Sequence, residues 1–137
     1  MDYLRINREN IYYLKNFIDD MGTSSRSFRY YANRNPDEVI DNHLVTYILC
    51  DVDPVGYGHL DKENEKVWLG VCVIDGQHGK GYGKMIMEKL VDSYSGDIWL
   101  SVDVDNVRAI NLYKLFSFNI MSEDDTTVYM KRNATSI

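Results

Sequence analysis

Apolar and polar positions divide the chain into short segments of distinct period. Tyr3 to Ile6 forms a short strand-like run, and Asn7 is placed to cap a helix to about Asp20, with Ile11, Leu14, Phe17 and Ile18 at helical spacing. Met21 to Ser27 breaks the pattern, and the aromatic cluster Phe28 to Tyr31 follows. Pro36 to about Asn42 predicts a short helix, with proline in its first turn and Asp37 and Glu38 favourable to its dipole. Leu44 to Val52, Val55 to Asp61 and Val67 to Ile74 read as strands joined by the polar turns Asp53-Pro54 and Lys62 to Glu65, which predicts an antiparallel meander. The third is almost continuously apolar, as a buried strand is. A glycine-rich loop then opens an amphipathic helix on which Ile86, Leu90 and Tyr94 recur every fourth residue. After the break Ser95-Gly96-Asp97, Ile98 to Val104 predicts a strand reached through a helical crossover and therefore parallel to its partner. Asn106 to Ser117 predicts a helix, and Phe118 to Met121 with Thr126 to Lys131 a closing hairpin. Residues 132–137 read as a loose tail.

Composition narrows the class. A chain of 137 residues with 45% hydrophobic content is expected to form one domain with a proper core. Its formal charge of −6 argues against nucleic acid as a partner, which needs clustered Lys and Arg. Any anionic ligand must be held by local geometry. No apolar run reaches the length of a membrane span, and the polar start Met-Asp-Tyr-Leu-Arg lacks a signal-peptide core, so a cytoplasmic protein is expected. Cys50 and Cys72 have no Cys-x-x-Cys spacing and read as reduced core residues. His43 and His59 have no metal-ligand spacing, so no metal is expected and neither is given a catalytic role.

The chemistry begins in the loop, where Gly79, Gly81 and Gly83 alternate with Lys80 and Tyr82 and Lys84 follows. Glycine at alternate positions lets backbone N–H groups approach a ligand, and at a helix start those groups suit a phosphate. It is not a Walker loop, because Gly76 and Gly81 are followed by Tyr82 rather than Lys. It is not a dinucleotide fingerprint, because position 84 is Lys84 rather than glycine.

His-Gly-Lys-Gly-Tyr-Gly at 78–83 resembles the Gln/Arg-x-x-Gly-x-Gly/Ala signature of the GCN5-related N-acetyltransferase (GNAT) superfamily. The segment Asp-Asn-Val-Arg-Ala-Ile-Asn-Leu-Tyr-Lys-Leu-Phe-Ser-Phe at 105–118 is similar to that family's Asn-x-x-Ala-x-x-Leu-Tyr-x-x-x-Gly-Phe stretch. The resemblance implies an α/β (α+β) GNAT fold: a twisted, mixed and mostly antiparallel central sheet flanked by helices and splayed at the acetyl-CoA site. It implies an enzyme in which acetyl-CoA and an amine bind together and the neutral amine attacks the thioester.

On the same basis the cofactor-binding positions are the backbone of Val71, Cys72 and Val73, the loop residues His78, Gly79, Lys80, Gly81, Tyr82, Gly83 and Lys84, and Asn106, which alternatively caps its helix. Tyr113 is implied as the general acid for the departing thiolate. Val67 and Ser101 stand where some members keep a glutamate base, which leaves Asp103, Asp75 or a water chain for that role. His78 stands where Gln or Arg is usual, and Ser117 where glycine is common at the helix end.

Phe28, Arg29 and Tyr30 are the candidate acceptor contacts, although an aromatic cluster there also packs a helix on a sheet. The acceptor expected is a small-molecule amine. One form considered is an amino sugar carried on a nucleotide, whose diphosphate Arg26, Arg29 and Arg34 would meet. A protein or peptide amine and a non-catalytic CoA-binding sensor are the alternatives. The C-terminal hairpin offers edge strands for a homodimer.

Overall fold

The computed structural model describes residues 1–135. Seven strands form one sheet in the order β1-β2-β3-β4-β5-β7-β6. They are β1 (Asp2–Arg5), β2 (His43–Asp51), β3 (Asp53–Glu63), β4 (Lys66–Val73), β5 (Ile98–Asp103), β6 (Asn119–Glu123) and β7 (Thr127–Arg132), and only β4 with β5 pair in parallel. The helices are α1 (Tyr12–Asp19), α2 (Pro36–Val39), α3 (Tyr82–Asp92) and α4 (Val107–Leu115). No helix among the described residues is long and apolar enough to cross a membrane.

Strand alternation sends residues two apart to the same face, and each face carries its own apolar cluster. Val67 and Leu69 of β4, Leu60 of β3 and Leu49 of β2 meet Ile86, Met87 and Leu90 of α3 and Tyr113 of α4. Tyr57, Ile48 and Cys72 meet Leu14 and Phe17 of α1, with Met21 and Ile40. Gly58 brings α3 close to the sheet, since a Cβ there would lie 2.5 Å from Ile86 Cγ2 and 2.9 Å from Leu90 Cδ1. Each aliphatic side chain buried under α3 contributes about 1.5–3 kcal/mol, far more than a short helix gains from propensity alone.

Several boundaries differ from the sequence reading for local reasons. The N-terminal helix is shorter than the periodicity predicts. Asn7 caps a separate 3-10 turn, Arg8–Asn10, with the Asn10 side chain accepting from the Asn7 N–H, and α1 begins only at Tyr12. The β2–β3 hairpin turns on Val52 at φ 64°, which places Asp53 and Pro54 inside β3, Pro54 opposite Cys50. Ser117 keeps the left-handed conformation at φ 70° that glycine would take. The residues expected as a tail begin inside β7 with Arg132 and are then tied down. Ala134 N–H donates to Asp97 Oδ1 at 2.7 Å and Thr135 N–H to Ser95 O at 2.9 Å; residues 136 and 137 of that expected tail lie outside the described residues.

Candidate active site

The parallel strands β4 and β5 pair only at Val67 with Ile98 and Trp68 with Trp99, then part. Beyond that point β4 is bonded to β3 alone and β5 to β7. The Ile74 N–H donates to Val55 O in this register, so alternation turns the amide of Cys72 toward β3 and the amides of Val71 and Val73 into the splay. All three strand positions expected to meet the cofactor line the cavity, but only Val71 and Val73 turn their amides into the splay, while Cys72 has its backbone in the ladder. Its side chain lies on the α1 face beside Met21, and burial pushes its thiol up to about 12, which makes it inert.

One cavity of about 1070 Å³ runs through the splay. At one end stand His78, Gly79, Gly81, Gly83 and Lys84 of the loop and α3, with Arg108 of α4. Gly79 and Gly81 have φ 82° and 83°, and a Cβ at either would meet nothing within 4 Å, so the loop presents bare backbone to open space. Gly81 is the N-cap of α3, which leaves the N–H groups of its first turn free. Bare amides, a helix dipole and two cationic side chains fit the diphosphate of CoA. Gly83 has an added role in packing, since its Cβ would lie 3.1 Å from Leu112. Two loop residues are placed differently from expectation. Lys80 does not line the cavity but donates through Nζ to Oε1 of Gln77, which does, at 3.0 Å, and the Tyr82 hydroxyl turns to Asp51 Oδ2 at 2.7 Å, leaving its backbone for the site.

In the middle lies Tyr113, 8% exposed, packed against Phe118 and without a hydroxyl partner among the described residues. Burial, with Cys72 nearby, pushes its phenol up to about 12, so it holds its proton at neutral pH. Asn106 lines the same wall, and its Oδ1 caps α4 by accepting from the Ala109 N–H at 3.3 Å.

The far end is walled by Phe28, Tyr30, His59, Asp61, Trp68 and Gly70. Arg29 spans to β5 and donates to Asp103 through both terminal guanidinium nitrogens, Nη1 to Oδ2 at 3.0 Å and Nη2 to Oδ1 at 2.7 Å. That pairing holds the Asp103 carboxyl below the usual range, the wrong direction for a base, and leaves Arg29 a strap rather than a free substrate contact. Asp75, the other candidate base, does not line the cavity; its Cβ lies beside Gly22. Arg34 sits 3.6 Å from Glu63 and stacks over the Tyr30 ring, so it too is engaged.

Beneath this end is a buried polar network that the sequence reading passed over. The Tyr30 hydroxyl donates to Asp61 Oδ2 at 2.6 Å and therefore accepts from His43 Nε2 at 2.9 Å, which leaves His43 Nδ1 to accept from the Thr46 hydroxyl at 2.7 Å. A second chain joins Tyr31, the Tyr57 hydroxyl and His59 Nδ1, the last two 2.7 Å apart. Burial, with Arg34 nearby, holds His43 down to about 4; burial and His43 hold His59 well below the ordinary imidazole range. Both rings are neutral at pH 7. A Cβ at Gly70 would lie 2.6 Å from His59 Nε2, so glycine there is what lets the ring lie across the strand. The signal in the sequence was the alternation Tyr57, His59, Asp61 on a strand next to one with Trp68 and Gly70, which puts polar groups on one face.

A family model for the acetyltransferase (GNAT) family matches residues 10–118. Spermine/spermidine N(1)-acetyltransferase of Bacillus subtilis is 35% identical over 71 residues, 47% of this chain and 47% of that protein, so the alignment spans about half the length of the curated relative. A putative acetyltransferase from Salmonella typhimurium, solved with its cofactor acetyl-CoA, superposes with a TM-score of 0.77 at 11% identity over 100% of this chain and 95% of that one. The ribosomal-protein-S18-alanine N-acetyltransferase of Escherichia coli gives 0.71 at 14% identity over 99% and 95%. With more than half its length matched by the family model and its fold shared with these structures, the chain belongs to the GNAT acetyltransferase family.

Proposed function

We propose that the protein transfers an acetyl group from acetyl-CoA to a primary amine of a small cationic molecule. The observation that carries this reading is the order of groups along one cavity: the bare glycine loop, then the open amides of Val71 and Val73 with Tyr113, then a chamber with the carboxylate of Asp61 and aromatic walls. In that order the loop and α3 hold the diphosphate. A strand amide polarises the acyl oxygen, and a nitrogen entering from the acidic chamber forms the new N–C bond. As the C–S bond breaks, the leaving sulfur takes the proton of the Tyr113 hydroxyl, and the proton shed by the amine returns through solvent to restore the phenol.

A small polycationic amine is favoured over a sugar nucleotide. Arg29 and Arg34 are committed to Asp103 and Glu63, so neither is free for a diphosphate. The name of the Bacillus subtilis relative supports the same class. The test is an amine panel with acetyl-CoA, read by release of free thiol. Small aliphatic amines outpacing peptide and sugar-nucleotide amines by roughly tenfold in kcat/KM is the expected result. The opposite order would overturn the acceptor class, and no release with any amine would overturn the activity.

A further inference from the structure

Asp61 is a charged group in an unusual place. Only 4% exposed, it accepts one hydrogen bond, from Tyr30 to Oδ2. Oδ1 has no partner among the described residues, although the residue lines the cavity. No basic side chain hydrogen-bonds to it among the described residues: Arg34, which lines the same cavity, pairs with Glu63, Arg29 pairs with Asp103, and His43 and His59 are held neutral by burial. Oδ1 is not sealed off from the cavity, so a cation entering there meets a carboxylate oxygen that no protein donor occupies. Trp68, also in the lining, offers a ring face of the kind that attracts an alkylammonium, as Arg34 already shows on the Tyr30 ring.

Register fixes how far this carboxylate lies from the chemistry. Asp61 stands opposite Trp68 on β4, and Val71, whose amide opens into the splay, is three residues farther along that strand. At about 3.3 Å per residue that is roughly 10 Å along the strand, less what the Asp61 side chain spans. Resting on the acetyltransferase reading above, we infer that Asp61 is the anchor for a second positive charge of the acceptor, so that the preferred substrates are α,ω-diamines or longer polyamines. One nitrogen lies over Gly70 and Val71 to be acetylated while the other is held at Asp61 against Trp68. Tyr30 is a positioning residue: its hydroxyl, itself fixed by His43 and Thr46, aims the carboxylate and occupies Oδ2, leaving Oδ1 for the ligand.

The experiment compares diaminobutane and diaminopentane with aminobutane and aminopentane as acceptors for the wild type and Asp61→Asn, by thiol release and by calorimetric titration of each amine into the protein with CoA. Asparagine keeps the shape and the acceptor for Tyr30 while removing the charge. The wild type is expected to favour the diamines by about tenfold or more in kcat/KM, and Asp61→Asn to erase that preference through KM with the acetyl-CoA KM unchanged within about twofold. Equal rates for diamine and monoamine in the wild type would overturn the inference while leaving the acetyltransferase reading intact, as would a folded Asp61→Asn that keeps the preference. If Asp61→Asn does not fold, the wild-type comparison alone decides. If no amine is acetylated, the parent reading falls, and calorimetry still decides the subsite: tighter binding of diamines by the wild type supports it, and equal binding overturns it.

Discussion

At the scale of single residues, Tyr113 and His43 each carry a measurable consequence of burial. Tyr113 keeps its proton because burial pushes its phenol up to about 12, which suits an acid that protonates a thiolate and not a base. Tyr113→Phe keeps the ring against Phe118 and removes only the hydroxyl; kcat should fall roughly 100-fold while the KM for acetyl-CoA stays within about twofold. An unchanged kcat would remove Tyr113 from the chemistry. His43 is neutral in the fold down to about pH 4, whereas in the unfolded chain it titrates near 6.5. Between those values the unfolded state binds the extra proton. The stability His43 contributes is therefore fully present above pH 6.5 and drains away as pH falls toward 4, by at most about 3 kcal/mol. His59, shifted in the same direction, steepens the loss. Urea unfolding at pH 7.5, 5.5 and 4.5 reads this directly, and His43→Gln should flatten the slope; a stability independent of pH across that window would show that the ring is not held neutral.

Elements differ in how openly the sequence displays them, and the β2–β3 hairpin shows why. Val52 belongs to a strand by propensity, yet it sits at the tip in the left-handed region, 98% exposed. A β-branched residue is strained there, while glycine is not. Val52→Gly loses no packing and should stabilise the protein by about 1 kcal/mol, roughly 3 °C in Tm; a lower Tm would mean that the turn is not left-handed. Runs such as Val67 to Ile74 were legible because burial on both faces demands a continuous apolar stretch. The cofactor loop was legible because its function lies in consecutive backbone atoms, which glycine spacing advertises. The polar network at the far end of the cavity was legible only at Tyr30, because it is assembled from Tyr30, His43, Thr46, His59 and Asp61, brought together by the β2–β3 register and by the segment between α1 and α2. Asp103 and Asp75 were reasonable bases by strand parity and position. Parity cannot foretell that Arg29, 74 residues away in sequence, would neutralise the one, or that the other would lie beside Gly22.

For the molecule as a whole, a net charge of −6 has opposite meanings for the two ligands. An anionic cofactor approaches against the overall field and has to be held by groups within a few ångströms, whereas the cationic acceptor proposed above would be drawn by that field toward a chamber containing Asp61. Added salt screens the long-range part over about 10 Å at 0.1 M and leaves short contacts less affected. Hence kcat/KM for a diamine should fall by roughly three- to tenfold between about 0.02 M and 0.5 M salt. The fall should be shallower for a monoamine of equal length, because one charge rather than two is steered. Asp61→Asn should bring the diamine slope close to that of the monoamine if the nearby carboxylate dominates the local field, whereas neutralising a distant acid such as Asp19 should leave the difference between the two amines in place. Identical slopes for diamine and monoamine in the wild type would mean that the second charge is not sensed on approach, and the acidity of the chain would then serve solubility rather than capture of its acceptor.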